Sequence, residues 1–140
     1  MREILFRGRR EDGGGWAYGS LIVVEHFCCI LESEDDGSRY DFPYLNSEMG
    51  TIDGNAIPVI PETVGQFTGL TDKNGKKIFE GDIVRAMMDY GPAGFYERTV
   101  SIGWLDDVGY QWQYFDIPTI EVIGNIHDNP ELLKEGADNG

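Results

Sequence analysis

The stretch GQFTGLTDKNGKKIFEGDIVR, residues 65–85, decides the fold of this chain, because two glycine turns separate its short apolar segments. Asn74-Gly75 is the strongest short signal for a β-hairpin, and we predict a type I′ turn there, in which both residues have positive φ. Gly81 is predicted to supply the positive φ of a second sharp turn. The strands that these turns delimit are predicted at 76–79 and 83–88.

Lysines and carboxylates crowd the same stretch, so it must also be considered as a phosphate or metal site. A phosphate loop needs G-x-x-x-x-G-K-[ST] between a strand and a helix, whereas a strand pattern follows Gly75-Lys76 here. An EF-hand beginning at Asp72 would need Gly and Glu at its sixth and twelfth positions, where this chain has Lys77 and Ile83. We therefore interpret the stretch as a structural hairpin with solvated lysines.

Short apolar runs separated by glycine continue along the chain, and no window keeps a helical period for long. The pattern predicts a mainly β fold, that is, a β-rich α+β chain. We expect a β-rich N-terminal lobe at 1–60, a small SH3-like barrel at 61–128, and a short helix with a tail at 129–140. Further strands are predicted at 3–6, 16–24, 26–31, 99–105, 110–115 and 119–126, with irregular structure around Phe42-Pro43-Tyr44 and up to Asn55.

The composition is that of a folded, acidic protein: 140 residues, 41% hydrophobic, with a formal net charge of -14. The acids concentrate at 11–62 and 101–140, whose net charges are -10 and -7. Such a surface disfavours direct nucleic-acid binding, because contact with a phosphate backbone needs clustered Lys and Arg. No apolar run reaches the ~20 residues of a membrane span, and MREILFRGRR is unlike a signal peptide, so we expect no membrane contact and a cytoplasmic location.

The candidate metal and nucleophile residues lack the required spacing. Adjacent Cys28 and Cys29 would point to opposite faces of a strand, so we expect no disulfide between them, and their apolar surroundings should raise their thiol pKa. With His26 and His127 they lack the paired spacing of a zinc site, although folding could still bring the four together. The carboxylates of the acidic turn lack the spacing of a Ca²⁺ loop; they are Glu32, Glu34, Asp35, Asp36 and Asp41. We predict no metal, no cofactor and no catalytic residues.

Aromatic residues concentrate in the C-terminal half of the chain. If 110–115 is a strand, alternation places three aromatic rings on one face of it. That face is either the core of the barrel or a stacking and peptide-binding surface, and its exposure decides between the two. The candidate binding residues are Trp104, Tyr110, Trp112 and Tyr114.

Motifs at both ends and in the centre of the chain carry a family resemblance: REILFR at 2–7, Trp16 with YGSLI at 18–22, PETVGQFTGLTDKNGK at 61–76, EGDIV at 80–84, and VIGNIHDNPELL at 122–133. In this order they resemble the YopX family of phage and prophage proteins, while residues 25–56 add little to the match. The resemblance implies a bacteriophage or prophage origin, a β-rich fold and no established biochemical role. It supplies no catalytic residues to carry over.

The function that we expect is that of a non-catalytic phage accessory protein, a protein-binding module whose partner is a host or phage protein of unknown identity. The alternative hypothesis is an acidic mimic of nucleic acid that occupies a host defence or regulatory protein, since carboxylates on a compact surface can reproduce phosphate spacing. An enzyme of unknown class ranks third. The sequence leaves open whether the chain forms a homo-oligomer.

Overall fold

The structure is a computed structural model, and it describes residues 4–24, 27–32, 44–46, 51–53, 56–105 and 109–133. These residues form mainly antiparallel β-structure, which confirms the predicted mainly β class. The chain divides into two compact units, Met1–Gln66 and Phe67–Gly140. Within the described ranges, no helix combines the length and the apolar character that crossing a membrane requires.

Seven strands begin in the first unit: β1 (Phe6–Arg9), β2 (Trp16–Val24), β3 (Phe27–Leu31), β4 (Tyr44–Asn46), β5 (Thr51–Asp53), β6 (Ala56–Pro58) and β7 (Gly65–Thr71), which ends in the second unit. In the antiparallel sheet of this unit, β6, β3, β2 and β1 are successive neighbours. The outer side of β1 pairs with the start of β7, where Arg7 lies opposite Gly65. A separate hairpin is formed by β4 and β5.

Two predictions for the first unit differ from the structure. The first strand lies three residues later than the predicted 3–6, because β1 must place Ala17 opposite Gly8 in the ladder with β2. The segment predicted as irregular contains β4 and β5, which pair over only three residues each. Strands this short leave no readable alternation in the sequence.

The further strands of the second unit are β8 (Lys77–Phe79), β9 (Asp82–Asp89), β10 (Phe95–Ser101) and β11 (Glu121–Asn125). The last three form a three-stranded antiparallel sheet in the order β10-β9-β11, and β8 forms a hairpin with β7. The described strands do not close the predicted barrel. Residues 131–133 form a single helical turn within the segment where a short helix was predicted.

The core of the second unit lies against one face of β9. Val84 and Ala86 point into it while Arg85 between them is exposed, as strand alternation requires. The fully buried Ile78 from β8 and Ile120 from the approach to β11 complete the centre together with Ile102. Each fully buried isoleucine contributes about 2 kcal/mol of hydrophobic free energy. β9 is the central strand of the sheet and carries Val84 and Ala86 into this core.

The hairpin at Asn74-Gly75 forms, but the predicted turn type is wrong. Gly75 has a φ of 84°, whereas Asn74 is not in the left-handed region. The Gly75 N–H donates to the Asp72 carbonyl at 3.0 Å, and the Asp72 N–H donates to the Lys76 carbonyl at 2.7 Å. This is a type I turn followed by a left-handed glycine, the usual three-residue hairpin loop.

The predicted strand at 110–115 is also wrong. Gln111 has a φ of 60°, and Trp112–Tyr114 forms one turn of 3-10 helix. A left-handed residue reverses the direction of an extended chain, so the aromatic side chains of this segment cannot lie on one strand face.

The second sharp turn has the predicted backbone. Gly81 has a φ of 92°. Its N–H donates to the Ile102 carbonyl at 2.8 Å, and its own carbonyl accepts the Ile126 N–H at 2.9 Å. One glycine therefore joins the turn before β9 to the two segments that flank the sheet.

Replacing Gly81 by valine is expected to destabilise the protein by at least about 2 kcal/mol, because a β-branched residue is strained at this φ. Thermal unfolding followed by circular dichroism measures the change. Gly103→Val is the control, since a side chain at Gly103 would meet open space and no positive φ. Equal melting temperatures for the two variants would contradict the role of Gly81.

Candidate functional site

The carboxylate of Asp72 is occupied by the backbone of its own unit. Asp72 is buried, with 6% of its surface exposed. Its Oδ1 accepts the N–H groups of Asn74 and Lys76, both at 2.9 Å, and its Oδ2 accepts the Val122 N–H at 3.0 Å. The carboxylate therefore closes the hairpin loop and ties it to β11, which leaves it unsuited to bind a ligand.

Asp82, the other buried carboxylate of the stretch, is 1% exposed. Its Oδ2 accepts the Phe79 N–H at 2.7 Å, which closes the turn between β8 and β9. Its backbone carbonyl accepts the Ile102 N–H at 2.8 Å. Both aspartates thus replace missing strand hydrogen bonds at turns, as buried polar groups must.

Two cations of the stretch, Lys73 and Arg85, lie at the surface beside Glu121. The Arg85 guanidinium lies 2.9 Å from the Glu121 carboxylate, and the Lys73 ammonium lies 4.0 Å from the same oxygen. Lys77 lies over the Phe67 ring, 5.1 Å from its centroid. Lys73 and Lys76 are exposed, in agreement with their interpretation as solvated hairpin residues, whereas Lys77 is half-buried.

The pKa of Asp72 results from opposed effects. Burial by itself raises the pKa, but the backbone N–H groups of Val122, Lys76 and Asn74, with the Lys76 charge, outweigh burial and lower it below the usual 3.8. A carboxylate with a lowered folded-state pKa stabilises the fold above its unfolded-state pKa, and this contribution is lost as the pH falls through the folded value.

Four aromatic rings form a continuous chain of contacts in the second unit. Trp104 meets Tyr110 edge to face at 5.0 Å between centroids, Tyr110 lies 5.6 Å from Trp112, and Trp112 lies 5.5 Å from Phe115. The Tyr110 hydroxyl donates to the Glu80 carboxylate at 2.8 Å. Contacts of this kind add about 0.5–1.5 kcal/mol per pair and hold the rings in fixed positions.

The sequence offered core and binding surface as alternatives for these aromatic residues, and the structure divides them between the two. Tyr110 and Trp112 are half-buried and pack on the core around Ile78 and Val84. Trp104 and Tyr114 are 57% and 47% exposed. The half-buried Tyr110 therefore supports the exposed Trp104, which packs against it.

The exposed Trp104 is held in place by the backbone beneath it. Leu105 and Gly109 exchange two hydrogen bonds, at 3.0 and 2.7 Å, which close the loop that follows Trp104. A side chain at Gly109, which has a φ of 68°, would come within 3.2 Å of the Trp104 ring. The indole therefore packs on the backbone at Gly109, and 57% of the Trp104 surface remains exposed.

A groove of about 300 Å³ lies beside this aromatic chain. We call it the aromatic groove. Its lining is apolar and aromatic apart from hydroxyl and amide groups: Met88, Val100, Ser101, Ile102, Gly103, Leu105, Tyr110, Gln111, Tyr114 and Phe115. Among the predicted site residues, Tyr110 and Tyr114 line the groove, while Trp104 contacts it through Tyr110.

Sequence reasoning missed three residues that shape this groove. Leu105 is 51% exposed at its edge, Gln111 makes the left-handed bend, and Glu80 fixes the Tyr110 hydroxyl. A leucine beside a tryptophan was a local signal of an apolar patch. The contact between Glu80 and Tyr110 spans thirty positions of the chain and has no local signal.

The two cysteines and the candidate metal ligands are not among the described residues that line the aromatic groove. Both cysteines are free, Cys29 is buried, and burial raises the pKa of both thiols, which makes them poor nucleophiles at neutral pH. Within the described ranges, no three His, Cys, Asp or Glu residues come together as a metal site. His26 and the acidic turn after Glu32 lie outside the described residues.

Comparisons with known proteins match this chain to a protein family and to a solved structure. The model of the YopX protein family matches residues 25–134. The crystal structure of protein EF1440 from Enterococcus faecalis is similar, with 25% sequence identity and a TM-score of 0.46 over 95% of this chain and 99% of that one. No curated protein matches.

Asp72→Asn is expected to destabilise the protein by about 2–3 kcal/mol at neutral pH, because the amide replaces one acceptor oxygen with a donor facing backbone N–H groups. Below the folded-state pKa of Asp72 the difference from the wild type should shrink, since the wild-type carboxyl is then neutral as well. Urea unfolding at neutral and acidic pH measures this. The exposed Asp116→Asn is the control, and a pH-independent difference for Asp72→Asn would contradict the assignment.

Proposed function

Since this chain belongs to the YopX family, we propose that it is a phage or prophage accessory protein that binds another protein through the aromatic groove. The partner is a host or phage protein, and binding takes place in the cytoplasm of the bacterial host. The proposal combines the phage origin that the family resemblance implies with the chemistry of the groove.

Trp104 is the observation that carries the proposal. A tryptophan that is 57% exposed and fixed by Tyr110 and Gly109 can be covered by a partner with little loss of side-chain entropy. Aromatic anchors of this kind dominate protein interfaces, where their removal costs about 2 kcal/mol or more of binding free energy. The neighbouring Leu105 and Tyr114 extend the apolar area that a partner would cover.

The chemistry of the groove favours binding over catalysis. Its described lining residues carry hydroxyl and amide groups beside apolar side chains, and no carboxyl or imidazole group. The Tyr110 hydroxyl donates to the Glu80 carboxylate, and this hydrogen bond holds the tyrosine ring in place. An enzyme active site would need a general acid, a general base and a nucleophile within reach of one another.

The net charge of -14 supports a second candidate, the acidic mimic of nucleic acid. Such a mimic would attract a basic, DNA-binding host protein over long distances, and its affinity would fall steeply with added salt. A groove-based complex depends on apolar contact and changes little with salt. Salt dependence therefore separates the two functions.

Trp104→Ala is expected to weaken partner binding by about thirtyfold or more, which corresponds to about 2 kcal/mol, while Trp104→Phe retains part of it. Tagged protein is used to capture partners from phage-infected bacteria at low and high salt, and affinities are then measured with the purified partner. Ile4→Ala, which removes a side chain that is 72% exposed in the first unit, is the control.

A complex that survives high salt and is lost in Trp104→Ala supports the aromatic groove. A complex that dissociates with salt, is displaced by DNA and is unchanged in Trp104→Ala would contradict the groove and favour the acidic mimic.

A further inference from the structure

The outer edge of β10 presents backbone groups that are directed away from its own sheet. Met87 on β9 lies opposite Glu97 on β10. The Met87 N–H donates to Thr119 Oγ1, and the Met87 carbonyl accepts the Asp116 N–H, both at 2.9 Å. Neither backbone group of Met87 faces β10, so Met87 and Glu97 form a non-hydrogen-bonded pair, and the N–H and C=O of Glu97 point outward.

The alternation of an antiparallel ladder extends this result along the strand. The Tyr90 N–H donates to the Gly94 carbonyl at 2.9 Å, and the Ile102 N–H donates to the Asp82 carbonyl at 2.8 Å. Even-numbered positions from 94 to 102 therefore bond toward β9. The outward-facing backbone groups belong to Phe95, Glu97, Thr99 and Ser101.

Within the part of the chain that the structure describes, β9 is the strand that pairs with β10. The start of β10 is open, with Phe95 56% and Tyr96 53% exposed. Unpaired edges of this kind are templates for an added strand. The end of β10 lines the aromatic groove through Val100 and Ser101, so an added strand would run alongside the groove.

We propose that the β10 edge docks an extended segment of a partner protein as an added antiparallel strand, with an acidic residue opposite Arg98 and apolar residues two positions to either side. The inference deepens the proposed function, since it names the form of partner that lies beside the aromatic groove. Backbone hydrogen bonds supply affinity in this mode, and alternate side chains supply specificity.

The charge of Arg98 is the reason for expecting an acidic residue opposite it in the partner segment. Arg98 is half-buried and lies 5.9 Å from the Tyr90 ring, and no carboxylate among the described residues forms an ion pair with it. Its neighbours on the same strand face are Tyr96 and Val100, which favour apolar side chains across the strand. A carboxylate directly opposite Arg98 would therefore complete a polar position between two apolar ones.

The same geometry disfavours a second copy of this chain as the occupant. The register that pairs all seven residues of β10 with another β10 aligns position 98 with position 98. Arg98 would then lie directly opposite the same residue of the second copy, in a closely spaced non-hydrogen-bonded pair. The net charge of -14 on each chain adds repulsion.

The test selects binders from a displayed library of random short peptides against the intact protein and measures the affinities of synthetic peptides. Binders are expected to carry the apolar-acidic-apolar alternation. N-methylation of successive peptide amides should weaken binding at every second position by about tenfold or more and leave the others unchanged, since alternate amides face β10. Arg98→Glu should weaken the same peptides about tenfold.

On the protein, Glu97→Pro removes the glutamate side chain and one outward-facing backbone N–H. Glu97→Ala removes the same side chain but keeps the backbone N–H. Proline is tolerated at such edge positions. Loss of peptide binding in Glu97→Pro alone supports the docked strand, and melting temperatures verify that both variants fold. If Glu97→Pro does not fold, the series of N-methylated peptides still tests whether the peptide docks as a strand.

Several outcomes separate this inference from the proposed function. If Trp104→Ala abolishes peptide binding and N-methylation shows no alternating effect, the groove proposal stands and the docked strand is overturned. If N-methylation shows the alternating effect and Trp104→Ala binds the peptides normally, the docked strand stands and the groove proposal is overturned. A library that yields no binder overturns the inference. Light scattering that shows a dimer broken by Glu97→Pro would assign the edge to a second copy instead.

Discussion

The buried carboxylate of Asp72 is the constraint on which the second unit depends. It accepts the N–H of Asn74 inside the hairpin loop, the N–H of Lys76 just after it, and the N–H of Val122, fifty positions further along the chain. The Lys73 N–H, bonded to the Ile120 carbonyl at 2.8 Å, reinforces the same junction. Ile120 is thereby held in the core against Ile78, so the polar junction and the apolar core specify the same arrangement.

This junction also determines where the candidate binding features lie. With β11 fixed on one side of β9, the segment just before it supplies Thr119 Oγ1 and the Asp116 N–H to Met87. Those bonds set the alternation of β9, and hence which backbone groups of β10 point outward. The aromatic groove and the outward edge of β10 are thus two consequences of one sheet arrangement, and together they offer side-chain and backbone contacts to a partner.

The sequence predicted correctly the strands that are bounded by clear turn residues. Its predictions failed where contacts between residues far apart in the chain determine the backbone conformation. The glycine turn at Gly81 and the strands β2, β8 and β9 were predicted because apolar runs and turn residues are local signals. The turn type at Asn74 was missed because Asp72 accepts hydrogen bonds that stabilise a type I turn. The prediction of a strand at 110–115 was wrong because Tyr110 and Trp112 pack against the core on either side of Gln111, which has a left-handed conformation.

The sequence by itself determined the mainly β class, the positions of the principal turns and the family, since each is encoded in contiguous residues. Its aromatic content also indicated aromatic residues of the candidate site, but left core and surface as alternatives. Only the tertiary structure decided that Tyr110 and Trp112 support the fold while Trp104 and Tyr114 are exposed. Exposure depends on which distant segments pack against a ring, and the pairing of Tyr110 with Glu80 or of Asp72 with Val122 arises only when the chain has folded.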